Sequence, residues 1–324
     1  MNDFAGSFNV LLITSGGTDR LIRNRQRCPT FLSTTAFASA SSVVCSLLNT
    51  LNYTTVFAGL DSQATTTYFQ YVFSQVTAKL LDCGVTFAAT TAPFSDNSSV
   101  RKVLKDFDLK SRVFLFFGQP PGLRNFLMVA SEMAMTNGDH VYLAVCQLSN
   151  AEFGHFTWQL HNKDDEKVKR AYRSVLLLSL LDETLYGSPS IRSLSQEWAD
   201  IYRSMYNSTV LTTDLPIPGM TGTHAATEMG GIAVMEALAR QESLPEGDNG
   251  RMLADLIRNR TYLNLQVGGT FKMGSFGIVL HAVQLGSFGG ENGLLEVNKT
   301  TRPTENDFFI SLMILIAGSH CRRS

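Results

Sequence analysis

The stretch EMAMTNGDHVYLAV, residues 132–145, holds in miniature the pattern that decides the fold. An apolar, helix-like end runs into Asn-Gly-Asp and then into a short run closing on Val-Tyr-Leu-Ala-Val. Asn137 and Gly138 are expected to supply the positive-φ positions a helix needs at its C-terminal exit, with Asp139 opening the turn into a strand. The joint is helix-to-strand, which is the recurring joint of α/β domains.

Outward from it the same rhythm repeats. Residues 54–60 (TTVFAGL), 85–89 (VTFAA), 112–117 (RVFLFF) and 140–145 (HVYLAV) are short runs rich in β-branched and aromatic side chains. They begin about 27 to 31 residues apart, the length of a βαβ unit. Helical segments fill the gaps at 68–81, 99–107 and 122–135; in the last, Leu123, Phe126, Leu127, Ala130, Met133 and Ala134 share one face. The expected fold class is α/β, a parallel sheet covered by helices on both sides. Beyond it, a strand at 173–181 and helices at 191–205, 224–239 and 249–259 are expected, and the Gly-rich stretch 268–293 reads as β-hairpin material.

The chain has 324 residues, 44 % hydrophobic and 17 % charged, enough for one large or two ordinary domains. Its 27 basic and 28 acidic residues give a net charge of −1 without the basic stripe that nucleic acid would require. No signal peptide is read at the N-terminus. The apolar run 308–318 (FFISLMILIAG) would cover roughly 16 Å, about half of a bilayer core, so it reads as a buried element and no complete membrane span is found.

Cys28, Cys45, Cys83, Cys146 and Cys321 show no metal-binding spacing; their odd number permits two disulfides and a free thiol, or five buried thiols. Sequons stand at Asn52, Asn97, Asn207, Asn259 and Asn298, a mild excess that hints at the secretory route. Ser15-Gly16-Gly17 follows an apolar strand but matches no phosphate-binding fingerprint, and reads as a plain strand-end loop. His155 and His161 stand near Asp164 and Asp165, but the polar run HNKDDEKVKR reads as a solvated charged turn rather than a metal site. No nucleophile, base and orienting group assemble from motifs, which ranks an enzyme last among the functional classes. The helix YFQYVFSQV, with Tyr68, Phe69 and Tyr71, is more apolar than one core-facing stripe requires; core packing explains most of it, and an interface for a peptide or second subunit is the other reading.

Particular residues carry a resemblance. MTNGDHVYLAV, then Trp158 and DDEKVKRAYRSVLLLSL, is similar to the ectodomain of the natriuretic peptide receptor and membrane guanylyl cyclase receptor family. So are IRNRQRCPTF at 22–31, Arg258-Asn259-Arg260-Thr261-Tyr262, Gly268 to Lys272, and Glu291-Asn292-Gly293; the matches run in family order from about Asn9 to Val297. The resemblance implies a type I periplasmic-binding-protein-like fold of two α/β lobes. Residues 1–32 and 187–262 would form one lobe, lacking its first strand-helix units; 33–186 and 263–298 the other; and 299–324 a divergent tail.

It also implies an extracellular ligand, peptide or small molecule, an expected homodimer, and signalling by lobe or dimer rearrangement. The membrane would be met only through a parent protein, on whose extracellular side the chain would lie, and any cyclase would lie in that parent. No cofactor is expected, since the family's chloride site falls in the part without a counterpart. The family's cysteine before the aromatic helix corresponds to Thr67 and its partner falls near Phe117, so that disulfide is expected to be absent. The family's acidic residue on the helix is Val72, and its late hairpin is replaced at Gly274 and Gly277-Ile278-Val279. Tyr68, Phe69 and Tyr71 are the expected ligand-facing aromatics. An amino-acid-binding receptor or carrier of the same fold is the alternative, with Ser15, Thr18 and Gln119 around a cleft.

Overall fold

The apolar runs become strands and the amphipathic segments between them helices. The computed structural model describes residues 2–15, 28–34, 40–147, 153–181, 183–212, 215–240, 249–275, 277–279, 283–288 and 296–301. Thr18, the turn at Glu291, the run 308–318 and Cys321 lie outside them. By its contacts the chain divides into two units, the first within Met1–Ala38 and Asp182–His281, the second within Ser39–Leu181 and Ala282–Pro303. Residues 263–281, expected with the second lobe, thus cluster with the first unit.

The first unit opens with α1 (Asn2–Ser7), β1 (Leu12–Thr14) and β2 (Phe31–Ser33), the two strands parallel. The second unit follows: α2 (Ala40–Thr50), β3 (Thr55–Asp61), α3 (Tyr68–Leu80), β4 (Thr86–Ala92), α4 (Asn97–Lys110), β5 (Val113–Phe117), α5 (Pro120–Glu132), β6 (Val141–Cys146), α6 (Asp165–Tyr172) and β7 (Val175–Ser179). The chain returns to the first unit as α7 (Glu183–Tyr186), α8 (Pro189–Tyr206), α9 (Ile217–Ala239), α10 (Asn249–Ile257), β8 (Arg260–Tyr262) and β9 (Phe271–Met273). β10 (Val283–Ser287) and β11 (Glu296–Thr301) then rejoin the second.

The second unit's sheet runs β11-β10-β7-β6-β5-β3-β4, parallel from β7 to β4 and antiparallel where β10 meets β7 and β11. All five residues of β5, VFLFF, are buried, because a parallel strand with both faces covered has no solvent side on which to alternate. Phe57, Phe94, Phe107, Phe114, Phe126 and Tyr142 pack into one aromatic cluster, with Phe114 and Phe126 4.6 Å apart between ring centres. Burying one such ring contributes about 2–3 kcal/mol. Against this unit α2 buries seven of its residues, and a disulfide joins its Cys45 to Cys83, just past α3, with the Cα atoms 6.1 Å apart. Cys28 and Cys146 are buried outside that bond.

In the first unit α9 lays Ala225, Met229, Ala233 and Ala237 in a core with Leu32, Ile257, Tyr262 and Phe271. The N-terminus of α10 is held from far along the chain: Gly250 N donates to Asn9 O at 2.9 Å and Arg251 N to Asn9 Oδ1 at 2.9 Å. A Cβ on Gly250 would run into the Asn9 backbone, so only glycine allows that approach.

Several expectations are corrected. At the opening joint the helix ends at Glu132, and the positive φ values belong to Ala134 (59°) and Gly138 (108°), not Asn137. Asn137 holds the turn by its side chain: its Oδ1 accepts from Asp139 N at 3.2 Å and its Nδ2 donates to Asp139 Oδ2 at 2.9 Å. The Gly-rich stretch is not one hairpin, since β9 pairs with β8 in the first unit while β10 joins the large sheet. Nor is HNKDDEKVKR wholly solvated. Asp165 is buried, because its carboxylate accepts from Leu160 N (3.0 Å) and His161 N (2.8 Å) and pairs with Arg124 Nη2 at 2.8 Å.

Candidate functional site at the strand ends of the second unit

A parallel sheet aims its polar loops at one edge, and the crevice opens where successive crossovers diverge. Here β3 is followed by β4 on one side and β5 on the other, so the switch point lies between the C-terminal ends of β3 and β5. Gln119 stands there as N-cap of α5, and its Oε1 accepts from both Thr65 N and the Thr65 hydroxyl, each at 3.2 Å. One side chain thus ties the loop after β5 to the loop after β3. Asp61, buried at the end of β3, accepts from Gln63 N at 3.1 Å and Phe94 N at 3.2 Å, bringing the loop after β4 into the same assembly.

Two glycines make this approach possible. A Cβ on Gly118 would lie 2.7 Å from Asp61 Cβ, and one on Gly122 would collide with Asp61 Oδ2. Beside them the first half of α5 and residues 154–160 enclose a pocket of about 360 Å³, walled by Pro120, Pro121, Met128 and Leu160 with Arg124 and Asn125 at its polar side. Gly154, at φ 81°, presses on the Pro120 ring at 2.8 Å from its would-be Cβ, a place no other residue fills without displacing the proline. Arg124 is spent on Asp165, Asn162 and the Trp158 carbonyl, so the pocket offers no free cation from that residue.

The expected aromatics divide sharply. Phe69 is fully buried against Phe153, at 6.4 Å between ring centres, and is a packing residue. Tyr68 is half-buried, its ring 4.9 Å from Phe153 and its hydroxyl buried without a hydrogen-bond partner. Burial pushes its phenol well above the usual value, and the nearby Cys146 adds to the shift. Tyr71 is exposed on α3, accepting from Gln75 Nε2 at 2.6 Å. Ser15 belongs to the first unit, where its hydroxyl lies 2.8 Å from that of Thr223. Of the expected ligand residues, then, Tyr68 and Gln119 stand at the strand ends of one sheet, and Thr65, Asp61, Gly118 and Gly122, which the sequence does not single out, pack there with Gln119 and with one another.

Among the sequons, Asn52, Asn97, Asn207 and Asn259 are exposed, and the side chain of Asn298 lies outside the described residues. Asn52, Asn207 and Asn259 adopt φ values of 57°, 48° and 54° at helix ends, a conformation that itself favours asparagine. Asn97 is engaged, its Oδ1 accepting from Asn125 Nδ2 at 3.0 Å. Among the described residues no group of three metal-ligating side chains comes together, and no helix is long and apolar enough to cross a membrane.

An open, mostly parallel sheet flanked by helices, with its polar loops gathered at a switch point, is an α/β architecture of the periplasmic-binding-protein-like type. The chain belongs to the receptor family ligand-binding region, the ANF receptor family, whose profile matches residues 1–283. It is also similar to atrial natriuretic peptide receptor 3 of Homo sapiens, 24 % identical over 79 residues, which are 24 % of this chain and 15 % of that receptor.

Proposed function

We propose that this chain is the extracellular ligand-binding part of a natriuretic-peptide-receptor-like or receptor-guanylyl-cyclase-like protein, acting by ligand-dependent rearrangement and not by catalysis. Family membership over residues 1–283 supports the receptor role. The observation that carries the site is the Gln119–Thr65 tie at the switch point: a ligand that takes over those hydrogen bonds exchanges one loop geometry for another, which is the differential binding a signal requires. A homodimer on the extracellular side of a membrane, anchored through its parent protein, completes the proposal.

A second reading is favoured by the pocket. At about 360 Å³ it sits at the lower end of the range for small-molecule sites and takes an amino acid more readily than a folded peptide. Calorimetric titration of the full chain with natriuretic peptides and with a panel of amino acids separates the two. Heat from a peptide, lost in Gln119→Ala, supports the first reading; tight binding of one amino acid replaces it with the second. Small-angle scattering that shows neither dimer nor ligand-dependent compaction would count against the rearrangement.

A further inference from the structure

The apolar side of helix α8 runs on past the part of it that is packed. Ile191, Ser195 and Ala199, spaced four apart, are its buried side. Toward its C-terminus Tyr202 and Tyr206 continue that side, with Ile201 and Met205 next to them, and this apolar stripe stands 41–68 % exposed. The Tyr202 and Tyr206 rings lie 4.8 Å apart at 42°, a paired aromatic platform open to solvent. Large exposed apolar stripes of Tyr and Met mark contact surfaces, because leaving them wet forfeits their burial.

The chain carries a candidate occupant at the end of the same helix. Asn207, in the left-handed conformation that closes α8, begins the sequon Asn207-Ser208-Thr209, and all three residues are exposed. At 1.5 Å of rise per residue, Tyr202 lies roughly 8 Å along the axis from this asparagine, within reach of the first sugars of an N-linked chain. Pyranose rings present a face of C–H groups that stacks on aromatic rings, while their hydroxyls remain in water. The Cys45–Cys83 disulfide is an independent mark of the oxidising route on which such chains are added. Asn97, by contrast, has its amide oxygen engaged by Asn125 at a helix N-terminus.

We propose that Asn207 is N-glycosylated and that the proximal sugars lie on the Tyr202–Tyr206 platform, covering the apolar stripe of α8. This extends the secretory reading above to one site and one contact.

The test uses the full chain secreted from eukaryotic cells behind a signal sequence. Mass spectrometry of the Asn207 peptide before and after peptide-N-glycosidase treatment reads occupancy, and anilinonaphthalene sulfonate fluorescence of the folded protein reads the uncovered stripe. Thr209→Ala removes the sequon without altering the left-handed asparagine, and Thr209→Ser retains it. Expected are an occupied Asn207, a several-fold rise in dye fluorescence for Thr209→Ala, none for Thr209→Ser, and loss of the rise in Thr209→Ala/Tyr202→Ser/Tyr206→Ser. An unmodified Asn207 alongside occupied Asn52 or Asn259 overturns this proposal while leaving secretion intact; a fully unglycosylated protein overturns both. An occupied Asn207 with unchanged fluorescence in Thr209→Ala overturns the stacking.

Discussion

A buried hydroxyl without a partner costs stability, and Tyr68 carries one at the edge where a ligand would arrive. Tyr68→Phe is expected to stabilise the ligand-free protein by about 1 kcal/mol in urea unfolding, since the desolvation penalty disappears with little change of shape. If the hydroxyl serves the ligand, the same substitution weakens binding in the calorimeter, separating stability from function at one atom. Gly122 gives the opposite case. Gly122→Ala drives a methyl group into the Asp61 carboxylate, with an expected loss of about 1–3 kcal/mol and loosening of the loop after β3. An unchanged urea midpoint would mean that Asp61 moves aside at no cost. Neither residue stands out in the sequence as one of these cases, because the burial of a hydroxyl and the approach of a backbone to a carboxylate are set by neighbours distant in the chain.

Single elements are held by devices of different legibility. Asp96 caps α4: the Ser99 and Ser98 hydroxyls, at 2.6 and 2.8 Å, and then Ser99 N at 3.0 Å and Ser98 N at 3.2 Å all donate to its carboxylate and hold it well below the usual 3.8. A carboxylate whose folded pKa is depressed contributes stability that is complete above its unfolded value and fades as pH falls through the folded one. Wild type should therefore melt above Asp96→Asn at neutral pH, and the gap should close as pH is taken below 3.8. At α2 the disulfide closes a separation of 38 residues, worth about 4 kcal/mol on the chain-entropy account. Cys45→Ser, Cys83→Ser and the double variant should lose that amount alike, and a reductant should bring wild type down to them; additive losses would refute the bond.

The strands β3, β5, β6 and β7 were legible because buried parallel strands are runs of β-branched and aromatic residues that little else in a soluble chain resembles, and the half-exposed edge strand β4 was legible from its place in the same spacing. Helix α2 was missed: SSVVCSLL is buried nearly all round and lacks the polar face that marks a helix. The disulfide pairing stayed open because it depends on how α2 lies against α3. Likewise the aromatics of α3 were visible as a group, but which of Tyr68, Phe69 and Tyr71 faces solvent is decided by the helix being wedged between α2 and the sheet.

At the scale of the whole molecule, the switch point follows from strand order, which no local pattern encodes. Gln119 could be singled out as a polar residue after a strand, but Thr65 became its partner only when β5 was placed beside β3 rather than beside β4. A double-variant cycle on Thr65→Ala and Gln119→Ala measures that tie in the folded protein, and a coupling of about 0.5–1.5 kcal/mol is expected. Additive effects would show the two loops to be independent.

Strand order also imposes a timetable. The second unit's sheet is not finished when its parallel strands are made, because the neighbour of β7 is β10, which arrives about 100 residues later, after most of the first unit has been synthesised. At cellular synthesis rates of about 5–20 residues per second, β7 stays an open sheet edge for roughly 5–20 s. Cys45 and Cys83, by contrast, are both available early, so their bond can secure one flank of the unit while the other still waits for its last strand. The chain's dependence on helpers during biosynthesis should concentrate in that interval.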